Sequence, residues 1–519
     1  MNKNSYLTAL LAKNSLLLVD ESLLEEENNI ERIPQPGKKI PYVMEPDVTK
    51  PWEYCGPGMS KRIHLYGTVL YDHLMKKYRM WYFGRMGPHW RSPECNYQIP
   101  GLYVPRTDKK PINYKGNTQD EFGRTFGDND RGDLTLYAES DDGINWLKPD
   151  LGIFTFDGKK NNNIIWDLHG ASVFIDENEP DSDKRYKAIG FCRRYRNIFL
   201  ITSPDGIHWN EKDNLEPVAQ RNNEGTFNVS YDNKENLFRA YSIQRFDDRN
   251  KRRVICYTES PSLSGPWKES KPIIEPDSWD DEMAYRKYNG LRAEFHNLSA
   301  FRYNNIHLGL LGVLYVTAEQ IPGEINQMPC DGPIDVQVVY SRDAINWSHA
   351  DRNRTAVIER GNPTEFDRGM IIGTAKEPIF EGDDIHWYYT GCEHTHGETN
   401  MEKRVKRIGR VSWKRDRLVA LRAHSEGTIT TKQLKLPEKA QNLELNYNSE
   451  GGEITVELLN EADKVIDGFS RKECVPLNAN QLRGKVSWKN ANIGNLDAPV
   501  KIKIHLNRAE IYSLKCSDF

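Results

Sequence analysis

Short apolar runs separated by polar turns follow one another along most of the chain, and their order repeats. Each unit opens on an apolar run that ends in an acidic turn, as at 66–72, 170–176 and 225–232. A run rich in aromatic residues comes next, and a third run leads into a turn. Runs of this length with a period near two predict β-strands and little helix. The aspartates that end the first runs, Asp72, Asp176 and Asp232, are assigned to turns.

The turn that closes each unit carries a repeated signature. Residues 140–146 read Ser-Asp-Asp-Gly-Ile-Asn-Trp, and the pattern returns at 203–209 and 341–347, with weaker copies at 260–267 and 409–413. The tryptophans at 146, 209, 267, 347 and 413 are therefore 63, 58, 80 and 66 residues apart. Asp-Gly pairs favour tight turns, and a tryptophan beside such a turn can fill the space between two sheets.

Five such units over residues 50–424 predict an all-β fold, a five-bladed β-propeller. A β-sandwich with coincidental turns is the alternative, and it is less favoured because the order of the elements repeats as well. From residue 425 the strands alternate strictly, as at 453–458 and 500–506, which predicts a C-terminal β-sandwich over 425–519. Residues 1–49 are expected to pack on the propeller. The polar insertion at 87–133 is expected to shape the entrance of a site.

Composition and charge exclude several classes of protein. The 519 residues include 71 Lys and Arg against 75 Asp and Glu, a formal net charge of −4 without a strongly basic half, which argues against a nucleic-acid partner. No apolar run approaches the ~20 residues that span a bilayer, so no membrane association is expected. The sequence contains no dinucleotide, P-loop, HExxH or GxSxG motif, and no cofactor is predicted. Oligomeric state is not indicated.

The cysteines and the N-terminus bear on the compartment. The eight cysteines are scattered without a CxxC pair, so buried free thiols and a reducing compartment are expected. Lys13 and Asn14 interrupt the apolar start of the chain, which therefore reads as part of the fold. A cytoplasmic location is favoured, with a periplasmic or secreted location as the alternative if a signal peptide has been removed.

The repeat and the segment after it resemble the five-bladed propeller glycoside hydrolases of families 43 and 32. Family 32 enzymes combine a propeller with a β-sandwich, and in both families catalytic carboxylates project from the inner strands of the first three blades. The stretch 223–226, Asn-Glu-Gly-Thr, is similar to the Glu-Gly-Pro segment of the family 43 general acid, which implies that role for Glu224. The first-blade motif Asn-Asp-Pro-Asn-Gly overlies 63–67 and puts His64 where the nucleophilic aspartate stands. The resemblance thus implies a divergent member.

Cleavage of a glycosidic bond needs a carboxylic acid that protonates the leaving oxygen and a second, ionised carboxylate. Glu224 is predicted as the general acid, and Asp167 or Glu294 as the base or nucleophile. Residues near the predicted inner strands or the site entrance are expected to bind substrate: His64, His296, Trp90, Arg292, Asp367, Glu377 and His396. Any single one of these also has an ordinary interpretation as a packed, turn or surface residue. The pair His394 and His396 alone is weak evidence for a metal, and none is predicted.

The favoured function is a glycoside hydrolase acting on an oligo- or polysaccharide. A glycoside phosphorylase of the same fold is one alternative, and it would need a basic phosphate pocket and fewer carboxylates. A propeller that binds carbohydrate without catalysis is the other, suggested by the missing first-blade aspartate. Arg292, beside Glu294, could hold a uronate or a sulfate, or could be the ion-pair partner that keeps the carboxylate charged.

Overall fold

The computed structural model describes residues 15–50, 52–54, 60–85, 133–154, 160–166, 168–192, 197–210, 217–219, 227–246, 252–319, 330–437, 440–496 and 498–517. Trp90, Asp167, Glu224 and nearly all of the insertion at 87–133 lie outside these ranges.

The described strands form an N-terminal group, five successive sheets and a C-terminal group. The N-terminal strands are β1 (Leu16–Leu17), β2 (Leu24–Asn28), β3 (Glu31–Pro34), β4 (Lys38–Met44) and β5 (Lys61–Arg62). Blade 1 contains β6 (His64–Asp72), β7 (Lys77–Arg85), β8 (Asp133–Ser140) and β9 (Ile164–Trp166). Blade 2 contains β10 (Leu168–Ile175), β11 (Tyr186–Cys192) and β12 (Asn197–Ser203). Blade 3 contains β13 (Asn228–Asp232), β14 (Leu237–Arg245), β15 (Arg253–Ser260) and β16 (Lys271–Ile274).

The remaining strands follow one α-helix of the described chain, α1 (Ser278–Tyr288). Blade 4 and its loop contain β17 (Arg292–Tyr303), β18 (Ile306–Val316), β19 (Ala318–Glu319), β20 (Cys330–Asp331), β21 (Ile334–Ser341), β22 (Trp347–His349) and β23 (Ala356–Ile358). Blade 5 contains β24 (Met370–Thr374), β25 (Ile379–Glu381), β26 (Asp384–Cys392) and β27 (Val405–Lys414). The C-terminal strands are β28 (Val419–Thr431), β29 (Asn442–Asn448), β30 (Glu453–Leu459), β31 (Asn480–Val486) and β32 (Lys501–Ser517). Short 3₁₀ helices are found at Glu21–Leu23, Ser182–Lys184, Met401–Lys403 and Ile493–Asn495.

The predicted five-bladed propeller is confirmed. The main strands of each blade pair in antiparallel fashion, and the first strands of the blades (β6, β10, β13, β17 and β24) pack against one another around the axis. The α-helix α1, which leads from blade 3 to blade 4, begins with a capping box formed by Asp277 and Asp280 and ends at Asn289, whose φ of 51° is left-handed.

The N-terminal segment closes the ring of blades. Strand β4 pairs with β27 as the outermost strand of blade 5, so two parts of the chain far apart in sequence complete one sheet. Lys39 Nζ of β4 lies 2.9 Å from the carboxylate of Asp367. Blade 5 also holds blade 1, because Tyr388 Oη donates a hydrogen bond to Gly143 O at 2.7 Å. Among the described residues of this segment, β4 and β5 pair with blade 5, whereas β1, β2 and β3 pair with the C-terminal strands.

The repeated turn forms its own hydrogen bonds and docks on the preceding blade. In blade 2, Ser203 Oγ accepts a hydrogen bond from the Gly206 amide at 2.9 Å, and Asp205 Oδ1 accepts one from the Ile207 amide at 2.9 Å. Gly206 O then accepts a hydrogen bond from Trp81 Nε1 of blade 1 at 2.8 Å. The motif therefore recurs because it joins neighbouring blades as well as neighbouring strands.

We expect Gly206→Ala to lower the free energy of unfolding by about 2–3 kcal/mol, measured by urea denaturation. Its φ is 76°, and an added Cβ would lie 2.9 Å from Tyr186 Cδ1 and 3.0 Å from Trp81 Cζ2. The left-handed backbone and the overpacking both oppose the substitution. Gly382→Ala is the control, since its φ is 54° but no heavy atom lies within 4 Å of an added Cβ, and a loss of only about 1 kcal/mol is expected. Equal losses would show that packing at Gly206 is unimportant.

A buried ionic chain crosses blade 1 where its inner strand ends. Asp72 accepts hydrogen bonds from Arg79 Nη1 at 2.8 Å and from Tyr186 Oη of blade 2 at 2.6 Å. Arg79 Nε donates to Tyr137 Oη at 2.8 Å, and Tyr137 donates to Glu139 at 3.0 Å. Burial alone would raise the pKa of Asp72, but the hydrogen bonds from Tyr186 and Arg79 lower it overall, so the carboxylate is ionised. The chain ties blade 1 to blade 2.

Blade 3 repeats this ionic chain with the same residue types. Arg239 Nε lies 3.2 Å from Asp232 Oδ2, its Nη1 donates to Tyr257 Oη, and Tyr257 donates to Glu259. Arg302 of blade 4 donates to Asp232 Oδ1 at 2.9 Å. The turn aspartates Asp72 and Asp232 thus also serve as ionic links between blades.

The C-terminal strands form one hydrogen-bonded set around an apolar core of their own. The 17-residue strand β32 pairs with β28 along one edge. On its other edge it pairs with β29 in one half and with β30 in the other, and the β-sandwich stays a prediction. Ile502, Ile504 and Leu506 are buried in alternation, which matches the sequence pattern.

Strand β1 lies between the two cores. Leu16 and Leu18 are buried in the C-terminal core, whereas Leu17 and Val19 are buried in the propeller core. The Leu17 amide donates to Asn305 Oδ1 of blade 4 at 3.3 Å, while β1 pairs with β32.

No helix of the described chain is long and apolar enough to cross a membrane. The six cysteines within the described ranges are buried.

Candidate active site

The inner strands are irregular at the end where they begin. Extra residues form β-bulges between His64 and Thr68 in β6, His169 and Ser172 in β10, Phe295 and Asn297 in β17, and Ile371 and Gly373 in β24. A bulge interrupts pairing and redirects the local side chains, and bulges are frequent beside active sites. This end of the axis, where blades 1, 2, 4 and 5 all carry a bulge, is termed the funnel end.

Tyr66, within the bulge of β6, lies at the centre of the funnel end. An added Cβ at Gly373 of blade 5 would lie 2.6 Å from its ring, and one at Gly170 of blade 2 would lie 2.4 Å from Tyr66 O. Tyr66 Oη is 3.4 Å from His296 Nδ1 of blade 4. Because three other blades reach this one residue, Tyr66 forms the floor of the funnel end.

Histidine rings surround this floor on the side of blades 1 and 2. The ring of His64 is centred 4.0 Å from that of Tyr66 and 4.7 Å from that of Phe83. The ring of His169 is centred 4.8 Å from Phe83 and 5.7 Å from Tyr66. All four side chains are buried. The structure thus brings His64 to the centre of the propeller, together with His169.

His296 and His396 complete the group from blades 4 and 5, with ring centroids 5.2 Å apart. His396 Nδ1 lies 3.0 Å from Cys330 O, so this nitrogen carries the proton and donates it. Burial, and then the charge of Arg253, lower the pKa of His396 to about 3, so its imidazole is neutral. Its buried Nε2 has no hydrogen-bond partner within the described ranges and can accept one from a hydroxyl group.

Glu294, two residues before His296, is completely buried among three arginines. Arg253 Nη1 lies 2.8 Å and Arg245 Nη2 3.4 Å from Oε2, both from the middle strands of blade 3. Arg292 donates from Nε and Nη2 to Oε1 at 3.1 and 2.7 Å. Burial alone would raise the pKa of Glu294, but Arg253, Arg245 and Arg292 lower it below its ordinary value. Glu294 is therefore an ionised carboxylate.

This arrangement does not suit the predicted role of Glu294 as base or nucleophile. Both carboxylate oxygens are engaged by guanidinium groups, and a carboxylate stabilised in this way is a weak base. The geometry favours Glu294 as a positioning residue that fixes the three arginines at the wall of the funnel end.

Two predicted substrate-binding residues lie away from this group. Asp367 is buried within blade 5, where its Oδ2 accepts hydrogen bonds from Lys39 Nζ and Tyr389 Oη at 2.9 and 2.8 Å, so its place is explained by the ion pair with the outermost strand. Glu377 lies between β24 and β25, which both pair with β26, and no contact between it and the four histidine rings is found among the described residues. Sequence position near an inner strand was the only signal for both residues, and it does not show which neighbours a side chain meets.

Trp90, Asp167 and Glu224 lie outside the described residues, and their roles stay predictions. The described neighbours of Asp167 in the chain are Trp166, which ends β9, and Leu168, which begins β10. Glu224 precedes the buried Phe227 by three residues, and β13 begins directly after Phe227.

The sequence analysis missed Phe83, Arg245 and Arg253 as parts of this site. Arg245 and Arg253 pair across β14 and β15, so both reach toward the same neighbouring blade. Their distance from Glu294 in the sequence is 49 and 41 residues, and no local pattern joins them. Within the described ranges no group of three or more His, Cys, Asp or Glu side chains is arranged to hold a metal ion.

Lys376 lies just beyond the other end of β24 and is almost wholly buried, with Nζ 3.3 Å from the ring centroid of Phe174 in blade 2. Burial lowers its pKa from 10.5 to about 8, and Glu377 opposes this shift only in part. Between pH 8 and pH 10.5 the unfolded chain therefore binds more protons at this group than the folded chain does. As the pH rises through that range, the free energy of unfolding of the wild type increases by about 2–3 kcal/mol.

We expect the change in free energy of unfolding caused by Lys376→Met to be more favourable at pH 7 than at pH 10.5, by about 2–3 kcal/mol. Urea denaturation of both proteins at several pH values measures the difference, from which other titrating groups cancel. Lys485→Met, at an exposed lysine of β31, is the control and should show no such pH dependence. A pH-independent difference for Lys376→Met would contradict the burial of a charged ammonium group here.

Three comparisons place this geometry among known proteins. No protein-family model matches the sequence, and no curated protein matches it. Among solved structures, a β-1,2-mannobiose phosphorylase from Listeria innocua in complex with β-1,2-mannobiose is 15% identical, with 72% of this chain and 94% of that chain covered and a TM-score of 0.41. A GH32 β-fructofuranosidase of Bombyx mori is 9% identical, with 89% and 95% covered and a TM-score of 0.36. A thermostable family-43 glycoside hydrolase is 10% identical, with 70% and 94% covered and a TM-score of 0.37. Identities of this size do not assign an activity.

Proposed function

We propose that this protein is a carbohydrate-active enzyme that cleaves a glycosidic bond at the funnel end of its propeller. The observation that carries the proposal is the convergence of His64, His169, His296 and His396 from four blades around the ring of Tyr66. Aromatic faces pack against the C–H groups of a sugar, and imidazole nitrogens form hydrogen bonds with its hydroxyl groups.

In this proposal Glu224 is the general acid and Asp167 the base or nucleophile, because Glu294 is occupied by arginines. The two strands that these residues precede, β13 and β10, are inner strands and both begin at the funnel end. Hydrolysis is the favoured reaction. Whether configuration is retained or inverted follows from the separation of the two carboxyl groups, about 5 Å or at least 6.5 Å.

Phosphorolysis is a second candidate, and one observation favours it. Three guanidinium groups surround a single buried carboxylate at the wall of the site, and a basic group of this kind is what a phosphate co-substrate requires.

The test is an assay of the full chain against a panel of oligosaccharides, with product analysis in phosphate-free buffer and in phosphate. Free sugars in both buffers support hydrolysis, while sugar phosphates that appear only with phosphate support phosphorolysis. Thermal stabilisation by a saccharide without cleavage of any substrate would contradict the enzymatic proposal and leave carbohydrate binding.

A further inference from the structure

Arg292 differs from its two neighbours because part of its guanidinium group is accessible. Its side chain is 20% exposed, whereas those of Arg245 and Arg253 are 6% and 2% exposed. Nε and Nη2 both donate to Glu294 Oε1, so the plane of the guanidinium group is fixed by a buried carboxylate. A guanidinium group that is held along one edge presents its other edge in a defined direction.

That other edge faces a carboxylate that is easily replaced. Arg292 Nη1 forms an ion pair with Glu319, whose side chain is 52% exposed and belongs to the two-residue strand β19. An ion pair with an exposed glutamate contributes little free energy, since water competes with it and a long side chain must be ordered. Arg292 therefore has one permanent partner, Glu294, and one exchangeable partner, Glu319.

We propose that Arg292 is the recognition residue for an oxyanion of the substrate, which displaces Glu319 from Nη1. This inference rests on the proposed function, since it names the substrate class of the same site. The oxyanion is a carboxylate or sulfate group carried by the sugar, as in a uronate-containing oligosaccharide. Free phosphate offers the same chemistry, and the experiment separates the two sources.

Charge supports this assignment. Glu294 is already paired with Arg245, Arg253 and Arg292, and displacement of the exposed Glu319 makes Nη1 of Arg292 available to another anion. His396 of the same group is neutral because burial lowers its pKa to about 3. An anionic ligand therefore gains from the arginines without repulsion from the buried Glu294, whose charge they already neutralise.

The experiment measures dissociation constants by calorimetry with the full-length protein. The ligands are oligogalacturonides, glucuronate-containing oligosaccharides, the methyl esters of both, and inorganic phosphate alone. We expect at least one acid to bind about tenfold or more tightly than its ester, as for a charge-assisted hydrogen bond. Arg292→Gln should abolish this preference, and Arg292→Lys should keep only part of it because lysine lacks the planar fork.

Glu319→Gln tests the same ion pair from its other partner, and it does so even if Arg292→Gln folds poorly. It removes the competing carboxylate from an exposed position, so it should tighten acid binding about two- to fivefold and leave ester binding unchanged. Equal binding of acids and esters by the wild type, together with no phosphate binding that depends on Arg292, would overturn the inference. A lack of effect of Glu319→Gln on every anionic ligand would overturn it as well. Phosphate binding that depends on Arg292, without any preference among the sugars, assigns the oxyanion to free phosphate.

These outcomes are separable from the proposed function. Acid-selective binding without cleavage of any glycan would contradict the enzymatic proposal and leave the recognition role of Arg292 intact. Cleavage of neutral glycans with no preference for acids would contradict the recognition of a sugar-borne oxyanion by Arg292 and leave the enzymatic proposal intact.

Discussion

Glu294→Gln is expected to lower the free energy of unfolding by about 3–5 kcal/mol. The substitution removes the carboxylate that pairs with the buried guanidinium groups of Arg253 and Arg245, and removal of one partner of a buried ion pair costs several kcal/mol. Glutamine keeps the size of the side chain, so the loss is electrostatic and does not come from a cavity. Urea denaturation at neutral pH, with the slope compared between the two proteins, gives the difference directly.

The pH dependence of this difference has a definite sign. The pKa of Glu294 in the folded protein is lowered from its ordinary 4.5, so its contribution is complete above pH 4.5 and declines as the pH falls through the folded-state value. The wild type and Glu294→Gln should therefore approach each other in stability only in acid. Glu319→Gln is the matched control on the same arginine, and a loss of at most about 1 kcal/mol is expected because Glu319 is exposed. Similar losses for both variants would show that Glu294 is not the buried anchor.

Glu224→Gln is expected to lower kcat by about 10²–10⁴-fold and to leave the affinity for substrate nearly unchanged. Protonation of the leaving oxygen by a positioned acid accounts for an acceleration of this size, and an amide cannot supply the proton. The inner strand β13, which Glu224 precedes, begins at the same end of the axis as β10 and β17. Steady-state rates on the best substrate of the panel, with ligand binding measured separately, give the two effects.

Glu381→Gln is the control for this experiment. Glu381 ends β25 and is exposed where the chain turns back into β26 at Asp384, so it lies at the end of blade 5 that is away from the funnel end. Its replacement should leave kcat within a factor of about two, since only a change in global stability could reach the site. If Glu224→Gln turned over substrate at the wild-type rate, Glu224 would have no part in the mechanism and the search for the acid would move to Asp167.

The architecture could be predicted because its signals are local. Ser203, Asp205 and Gly206 form a turn through hydrogen bonds among residues at most three positions apart, and this compact pattern survives in several blades. The ionic chain of Asp72, Arg79 and Tyr137 also recurs in blade 3, yet it was not recognised. The aspartate and the arginine are seven residues apart in both blades, but the tyrosine follows the arginine by 58 residues in blade 1 and by 18 in blade 3, so a loop of variable length breaks the pattern.

The site was predicted only where a residue's strand position settled its place. His64 is the first residue of the inner strand β6, and His296 lies four residues after the start of β17. The structure brings both rings close to Tyr66. Glu294 was found for the same reason, but its partners Arg245 and Arg253 come from the middle strands of another blade. Their charges decide its protonation state. A carboxylate can be located from the pattern of its own strand, whereas its pKa depends on neighbours that only the assembled blades bring together.

Strand β1 has a consequence for the chain as a whole. Its successive leucines enter two different cores, so the propeller and the C-terminal sheet are not independent modules joined by a linker. Separating them would remove apolar side chains from both interiors at once and break the hydrogen bond that the Leu17 amide donates to Asn305 Oδ1. The few residues near the beginning of the described chain thus belong to both cores. We therefore expect the propeller and the C-terminal sheet to unfold cooperatively.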